Sequence, residues 1–320
     1  MFLQERKAKS AWGTRMGPKV KVTVGMCIRN CEAYIKEAIA SVLEQDFPHD
    51  QIEVIVVDDG SEDKTLPLVS DSVSGADIVV RVFHHEWKGL GPSRNVVVNN
   101  AKGKYVVWVD CDNLLPTDHV RKQVDFMERN PRVGIAAGKF KSRPESNLIS
   151  SLESIEWEVN YHQGDGETAS GPLGHFCGGG GGSIYRVSAI RQVGGFDSNI
   201  KGAGEDFDVE RKITGVGWLL YFPTEAEFYH RCKKSLKSIW KENYWYGYGG
   251  HYLAHKGIKK VTPVFALMRI NLYLFLGYRL TRRKVAFLFP FQQILKKVIW
   301  TLGFWMAHLD GYGHDQNILR

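Results

Sequence analysis

The sequence predicts an α/β fold: a mixed, mostly parallel sheet flanked by helices, with a helical extension at the C-terminal end. Three observations lead there. Short aliphatic runs alternate with stretches of helical spacing, the pattern that parallel sheets leave in a sequence. Several of these runs end in aspartates and glycine, as strand ends beside a ligand crevice do. After about residue 250 the composition shifts to aromatic and basic residues on apolar segments.

The elements follow in order. KVTVGMCI, Lys21–Ile28, reads as a first buried strand. From Cys31 to Gln45 the apolar positions Ile35, Ala38, Ile39, Val42 and Leu43 recur at helical spacing. IEVIVVDDGS, Ile52–Ser61, is a second strand, and Ala76–Phe83 a third. Gly91–Ala101 opens as a helix after a Gly-Pro turn, and KYVVWVD is a fourth strand. Val133–Lys141 is expected as one further strand and Leu148–Tyr161 as a helix. Five consecutive glycines, Gly178–Gly182, precede a short helix over Val187–Val193. GAGEDFDVERKITGVGWLLYFP supplies an acidic turn, a helix and a final strand.

The chain has 320 residues, 43% of them hydrophobic, and a formal net charge of +7. The size supports one large α/β domain or two smaller ones, with a substantial core. The positive balance suits an anionic partner: nucleic acid, phosphates or an acidic membrane face. The cysteines Cys27, Cys31, Cys111, Cys177 and Cys232 are odd in number and form no CxxC pair. That argues against a disulfide framework and against a zinc site and implies a reducing compartment. Residues 1–18 are basic without an apolar run, so they read as a flexible tail rather than a secretory signal. The expected layout is this tail, a catalytic-type α/β domain over 19–250, and a membrane-associating helical region over 251–320.

The chemistry-bearing residues are acids at strand ends. Asp110 and Asp112 flank Cys111 after VVWV. On an extended strand end, positions i and i+2 face the same way. Two such carboxylates can hold a hard divalent cation that takes its remaining ligands from substrate phosphates. VVDDGS places Asp58 and Asp59 at a second strand end of the same sheet. GAGEDFD puts Glu205, Asp206 and Asp208 at a helix start, where Asp206 is the acid expected to face inward. Gly178–Ser183 would let the backbone approach a sugar or a lipid phosphate closely, and is expected to line the acceptor side. His84, His85, His175 and His251 lack a metal-ligand spacing and read as structural or surface residues. GLGPSR has Arg94 where a dinucleotide fingerprint needs its third glycine, and no P-loop signature occurs.

Five segments in series carry a resemblance: TVGMCIRN, VIVVDDGSEDKT, GPSRNVVVNNAKGKYVVWVDCDN, GGGSIYRVSAIRQVGGFD and GEDFDVERKITGVGWLLYFPTEAEFYHR. In order and spacing they resemble the family 2 glycosyltransferases, which have the GT-A fold. The resemblance implies inverting transfer of a sugar from a nucleotide-diphosphate sugar, with Mg²⁺ or Mn²⁺ as cofactor. It implies that Cys27 and Arg29 lie on the loop that contacts the nucleotide, that Asp59 faces the base, and that Arg94 lies near the nucleotide. Asp110 then lies near the ribose and donor sugar, with Glu205 joining the donor-binding set. Asp112 and His230 match metal ligands, and Asp206 the catalytic base. Two departures stand out. The first loop reads Cys27-Ile28-Arg29 where the family often has Pro-Thr-Tyr. KENYW, Lys241–Trp245, replaces the Q/R-x-x-R-W signature of processive members, which implies one sugar per encounter.

Val261–Leu309 mixes apolar segments with Arg269, Arg279, Arg282, Arg283, Lys284, Lys296 and Lys297. Its uninterrupted apolar stretches fall short of the ~20 residues a spanning helix needs. Basic and aromatic residues together suit helices lying in a membrane interface. The expectation is a cytoplasmic protein, peripheral on an anionic membrane face, acting on a glycan or polyprenyl-linked acceptor. The same clustering argues against nucleic acid as partner. The rival reading is a non-catalytic nucleotide- or glycan-binding module on the same fold, against which the full acid set counts.

Overall fold

The computed structural model describes residues 20–141, 143, 147–162, 168–169, 180–258 and 274–314. The expected tail over 1–18, Gly178 and Gly179, and Arg269 lie outside these residues. By internal contacts the chain divides into two compact units interleaved in sequence. One takes Met1–Lys139, Asp165–Ser198 and Val209–His230, the other Phe140–Gly164, Asn199–Asp208 and Arg231–Arg320.

The first unit opens with strictly alternating elements: β1 (Val22–Ile28), α1 (Ile35–Leu43), β2 (Ile52–Asp59), α2 (Thr65–Ser72), β3 (Val79–His85), α3 (Leu90–Asn100) and β4 (Tyr105–Trp108). Every residue of β2 is buried, as expected of a strand covered on both faces of a parallel sheet. β1 pairs in parallel with β2 on one side and with β4 on the other, and β2 pairs in parallel with β3. Glu53 is buried in β2 yet satisfied. It accepts from Thr23 Oγ1 at 2.7 Å, the Lys102 amide at 2.7 Å and Arg81 at 2.8 Å. A buried carboxylate without such partners would cost several kcal/mol, on the order of the full desolvation of a charge.

The chain then continues through β5 (Asn113–Leu114), α4 (His119–Arg129), β6 (Val133–Ala137), β7 (Lys139–Lys141), α5 (Leu148–His162), β8 (Thr168–Ala169), β9 (Ser183–Arg186), α6 (Val187–Gln192), α7 (Glu205–Gly215), β10 (Leu219–Tyr221), β11 (Glu227–His230) and α8 (Leu236–His255), and ends in a C-terminal helix, Phe289–Leu309. The main sheet runs β3-β2-β1-β4-β9-β6-β10-β8, and a small one β5-β11-β7. β9 lies between β4 and β6, antiparallel to both. The mostly parallel sheet is therefore mixed, as expected.

The stretch expected as one strand over Val133–Lys141 is two. Gly138 is the break. Its amide donates to Gly182 O at 2.9 Å, and the next amide, Lys139, donates to Ala226 O at 2.7 Å. The chain leaves one sheet for the other there, and a Cβ at Gly138 would lie 2.6 Å from Gly182 O. The sequence pattern does not predict the helix α4. Its buried face, Val120, Gln123, Val124 and Met127, carries only a short apolar pattern.

In the second unit α8 and the C-terminal helix cross at glycines. A Cβ at Gly247 would lie 1.9 Å from Trp300 O, and one at Gly303 2.1 Å from Tyr244 O, so only backbone fits. α5 packs on the C-terminal helix through Leu152, Ile155, Val159 and Phe289. Lys296 bridges Glu153 and Glu156 at 2.6 Å each. Burial raises Glu153 to about 7 against the pull of Lys296. No helix among the described residues is long and apolar enough to cross a membrane.

Candidate functional site

The order of the main sheet marks where a site can form. From β1 the chain proceeds outward through β2 and β3, then returns to place β4 on the other side of β1. Such a reversal opens a crevice beyond the C-terminal ends of the two central strands. Cys27 and Arg29 sit at that end of β1, and Asp110 and Asp112 follow β4.

The two aspartates are not on an extended strand end. β4 stops at Trp108, and the Asn113 amide donates to Asp110 O at 2.9 Å, closing a tight turn. The turn, rather than strand alternation, sets them side by side. Asp110 Oδ2 accepts from the Gly181 amide at 2.9 Å. Burial pushes the Asp110 carboxyl above the usual range; the charge of Arg94 opposes this, the neighbouring Asp112 adds to it, and the Gly181 amide opposes it. Between them the Cys111 thiol meets that of Cys31, and that hydrogen bond together with burial pushes its ionisation far up. Cys111 stays a protonated packing group.

Arg94, on α3, is 2% exposed. Its guanidinium lies over Trp108 at 5.1 Å and Phe196 at 5.4 Å. The aromatic faces hold a buried cation in place without neutralising it, so its field reaches Asp110. Arg29 is exposed, 5.2 Å from the Trp87 ring and 3.7 Å from Glu62.

His230 ends β11, within the strand rather than after it. The pairing of β11 with β5 puts it opposite Asn113. His230 Nδ1 is 2.9 Å from Asn113 Oδ1 and 3.5 Å from Asp112 Oδ1. Both contacts are made by the same ring nitrogen, so the imidazole is oriented through Nδ1. Two carboxylates beside an imidazole are a donor set whose chemistry fits a divalent cation. Asn113 is a site residue that the sequence pattern does not single out. It stands in DCDN, but its role depends on a pairing with β11 more than a hundred positions away.

The glycine run reaches this place because β9 is antiparallel to β4. Its start lies at the end where β4 finishes. A Cβ on Gly181 would lie 1.4 Å from Asn113 Nδ2 and 3.1 Å from the Asp110 amide. On Gly180 it would meet Asp110 Oδ2 at 3.5 Å, an ordinary contact.

Asp58 and Asp59 end β2, and both are engaged locally. Asp58 accepts from the Ser61 hydroxyl and lies 2.7 Å from His84 Nδ1. Asp59 Oδ1 accepts from the Lys88 amide at 2.7 Å and Oδ2 from the Gly89 amide at 3.0 Å. Burial raises Asp59 despite these two donors. In this arrangement Asp59 fixes the loop before α3, and with it Arg94.

Cys27, Arg29, Asp59, Arg94, Asp110, Asp112 and His230 all belong to the first unit; within it Arg29 lies close enough to act on the charge of Asp59, and Arg94, Asp112 and His230 on that of Asp110. Glu205 and Asp206 belong to the second, in the first turn of α7. Glu205 is buried and accepts from the Gly204 amide at 3.1 Å. Asp208 is buried and paired with Lys256 at 2.6 Å. Asp206 accepts from the Phe207 amide and is the one acid of the three left partly exposed.

Residues 23–194, more than half of the chain, match the family described as glycosyl transferase family 2. A poly-beta-1,6-N-acetyl-D-glucosamine synthase of Staphylococcus epidermidis is 21% identical over 75% of this chain and 56% of its own length. The chain spans about half the length of that synthase. An uncharacterized glycosyltransferase of Rickettsia felis is 34% identical over 42% of this chain and 22% of its own. Among solved structures, the mannosyltransferase PcManGT from Pyrobaculum calidifontis, in complex with GDP-Man and Mn²⁺, superposes with a TM-score of 0.57. It is 20% identical, over 96% of this chain and 91% of that one. TarS 1–349 of S. aureus gives 0.50 at 18% identity, over 93% and 88%.

Proposed function

Because the chain belongs to glycosyl transferase family 2 and has the GT-A fold, we propose that it moves one sugar from a nucleoside-diphosphate sugar to a hydroxyl of a glycan or lipid-linked acceptor, with inversion and with a divalent cation. The observation that carries this reading is the set Asp110, Asp112 and His230 at the sheet's reversal point, with the buried cation of Arg94 beside it.

Asp112 and His230 would hold Mg²⁺ or Mn²⁺, which when bound offsets the charge of the diphosphate. Arg94 adds fixed positive charge where the leaving group gains negative charge, in a site whose dipoles need no reorganisation. Asp110, kept in place by the Gly181 amide, is aimed at the ribose and donor sugar. Arg29 faces the nucleotide from the end of β1, with Trp87 as the stacking surface that the missing tyrosine would otherwise supply. Asp206 takes the acceptor's proton as the new bond forms. A single base acting from the face opposite the leaving group inverts the anomeric centre, whereas glycoside hydrolysis uses two flanking carboxylates. Gly180–Ser183 lines the acceptor side. A glycan acceptor agrees with the polymer that the synthase relative is named for, and Mn²⁺ with the ion in the mannosyltransferase complex.

The exposed face of the C-terminal helix supports a peripheral position on an anionic membrane. Phe291, Ile294, Leu295, Val298, Leu302, Trp305 and Leu309 are all exposed along it, and Arg279, Arg282 and Lys284 lie exposed just before it.

Calorimetric titration of a panel of nucleoside diphosphates, with and without Mn²⁺, tests the donor site. The expected result is metal-dependent binding of one nucleotide, lost in Asp112→Ala. A folded wild-type protein that binds none of them would overturn the proposal.

A further inference from the structure

A second cluster of metal-ligating side chains lies in the second unit, among residues that the transfer reaction does not use. His251 sits on α8, His308 near the end of the C-terminal helix, and His314 in the turn that follows. His251 Nε2 is 3.3 Å from His308 Nδ1, and His314 Nε2 is 3.2 Å from the same atom. The three ring nitrogens all lie within 4.8 Å of one another. Nothing in the spacing 251, 308, 314 announces this; it follows from the glycine-mediated approach of the two helices.

Hydrogen bonding alone does not account for the arrangement. His251 Nδ1 is 2.7 Å from Tyr312 O, so it carries the proton and Nε2 presents a lone pair. His308 Nδ1 can then donate to His251, but a nitrogen that carries a proton has no lone pair left for His314. A neutral network satisfies one of the two contacts well, not both. A cation accepts all three lone pairs. Tetrahedral zinc with Zn–N bonds of 2.0–2.1 Å places its nitrogens about 3.3–3.4 Å apart, close to the two separations from His308 Nδ1.

We propose that His251, His308 and His314 form a binding site for a borderline transition metal ion, zinc being the best match, which staples α8 to the end of the C-terminal helix. The donor chemistry separates it from the acidic site of the first unit. Three imidazoles select zinc, cobalt, nickel or copper, whereas carboxylate oxygens suit Mg²⁺ and Mn²⁺. The Tyr312 carbonyl is the outer partner that orients a ligating imidazole. His255 lies beside the cluster, its ring centre 4.6 Å from that of His251 and 5.2 Å from that of His314. It is placed to supply the fourth ligand by a change of rotamer; otherwise water does.

The test uses the full chain without a histidine tag, stripped with chelator and titrated with Zn²⁺ against a chromophoric zinc indicator, Mg²⁺ being held in excess. One Zn²⁺ per chain is expected for wild type and for Asp112→Ala alike. His314→Ala and His308→Gln are expected to bind at least about tenfold more weakly, the scale on which even an outer partner acts. His308 is exposed and His314 lies beyond the last helix, so neither change removes core packing; circular dichroism checks the fold. Co²⁺ should give the visible absorption of a low-coordinate site in wild type and lose it in His314→Ala. Zinc affinity equal in wild type and both histidine variants, or lost in Asp112→Ala, would overturn the proposal.

Discussion

Gly181 shows how little space separates a working site from a blocked one. A methyl group there would displace Asn113, whose Oδ1 lies 2.9 Å from His230 Nδ1 and orients that ring. Gly180, next to it, has room. Neither residue has a left-handed backbone, so the contrast between them is one of space alone. Gly181→Ala should therefore weaken Mn²⁺-dependent nucleotide binding by at least about tenfold, roughly 1.4 kcal/mol. Gly180→Ala should leave it within about twofold, as measured by the same calorimetry. Equal affinities for the two variants would show that Asn113 does not position His230 for the ligand. The acids Asp110 and Asp112 could be read from the sequence because a D-x-D after a β-rich run is a local pattern. Asn113 and Gly181 could not be ranked that way, since their roles arise only when β5 meets β11 and β9 returns beside β4.

At the scale of elements, the alternating first half was legible because each strand and helix there carries its own period. What the sequence hid were elements specified by partners: the split at Gly138, the antiparallel insertion of β9, and α4. The start of α4 is tied to β11 by His119, whose Nδ1 is 2.7 Å from Glu227 O. The ring is fully buried, and burial lowers its pKa to about 4 from the ordinary 6.5. The unfolded chain takes up this proton near 6.5, and the folded chain only near 4. Its contribution to stability is whole above pH 6.5 and is lost as the pH falls from 6.5 to 4, in total about 3 kcal/mol. Urea unfolding near pH 7.5 and near pH 4.5 should show this. The wild type should lose about 2–3 kcal/mol more than His119→Gln, which keeps a donor and cannot titrate. Parallel losses in the two proteins would assign the acid sensitivity to other groups.

At the scale of the whole molecule, the C-terminal helix presents one face inward and leaves the other apolar. Ile299, Gly303 and Ala307 are buried, while Phe291 is 71% exposed and Leu309 75%. The exposed positions 291, 294, 298, 302, 305 and 309 advance by three or four and so form one stripe. A stripe of this length with basic residues before it has the two parts that interfacial helices use: apolar area to insert and charge to attract anionic lipid, each basic residue near the surface being worth about 1 kcal/mol. Sedimentation with vesicles separates the parts. Wild type should bind phosphatidylcholine vesicles containing an anionic lipid, less so as salt is raised, and pure phosphatidylcholine weakly. Phe291→Glu with Trp305→Glu should abolish binding while Mn²⁺-dependent nucleotide binding persists, because neither residue belongs to the acidic site. If the double variant still binds vesicles, and wild type but not the variant elutes as a dimer, the stripe covers a second copy of the chain instead of a membrane.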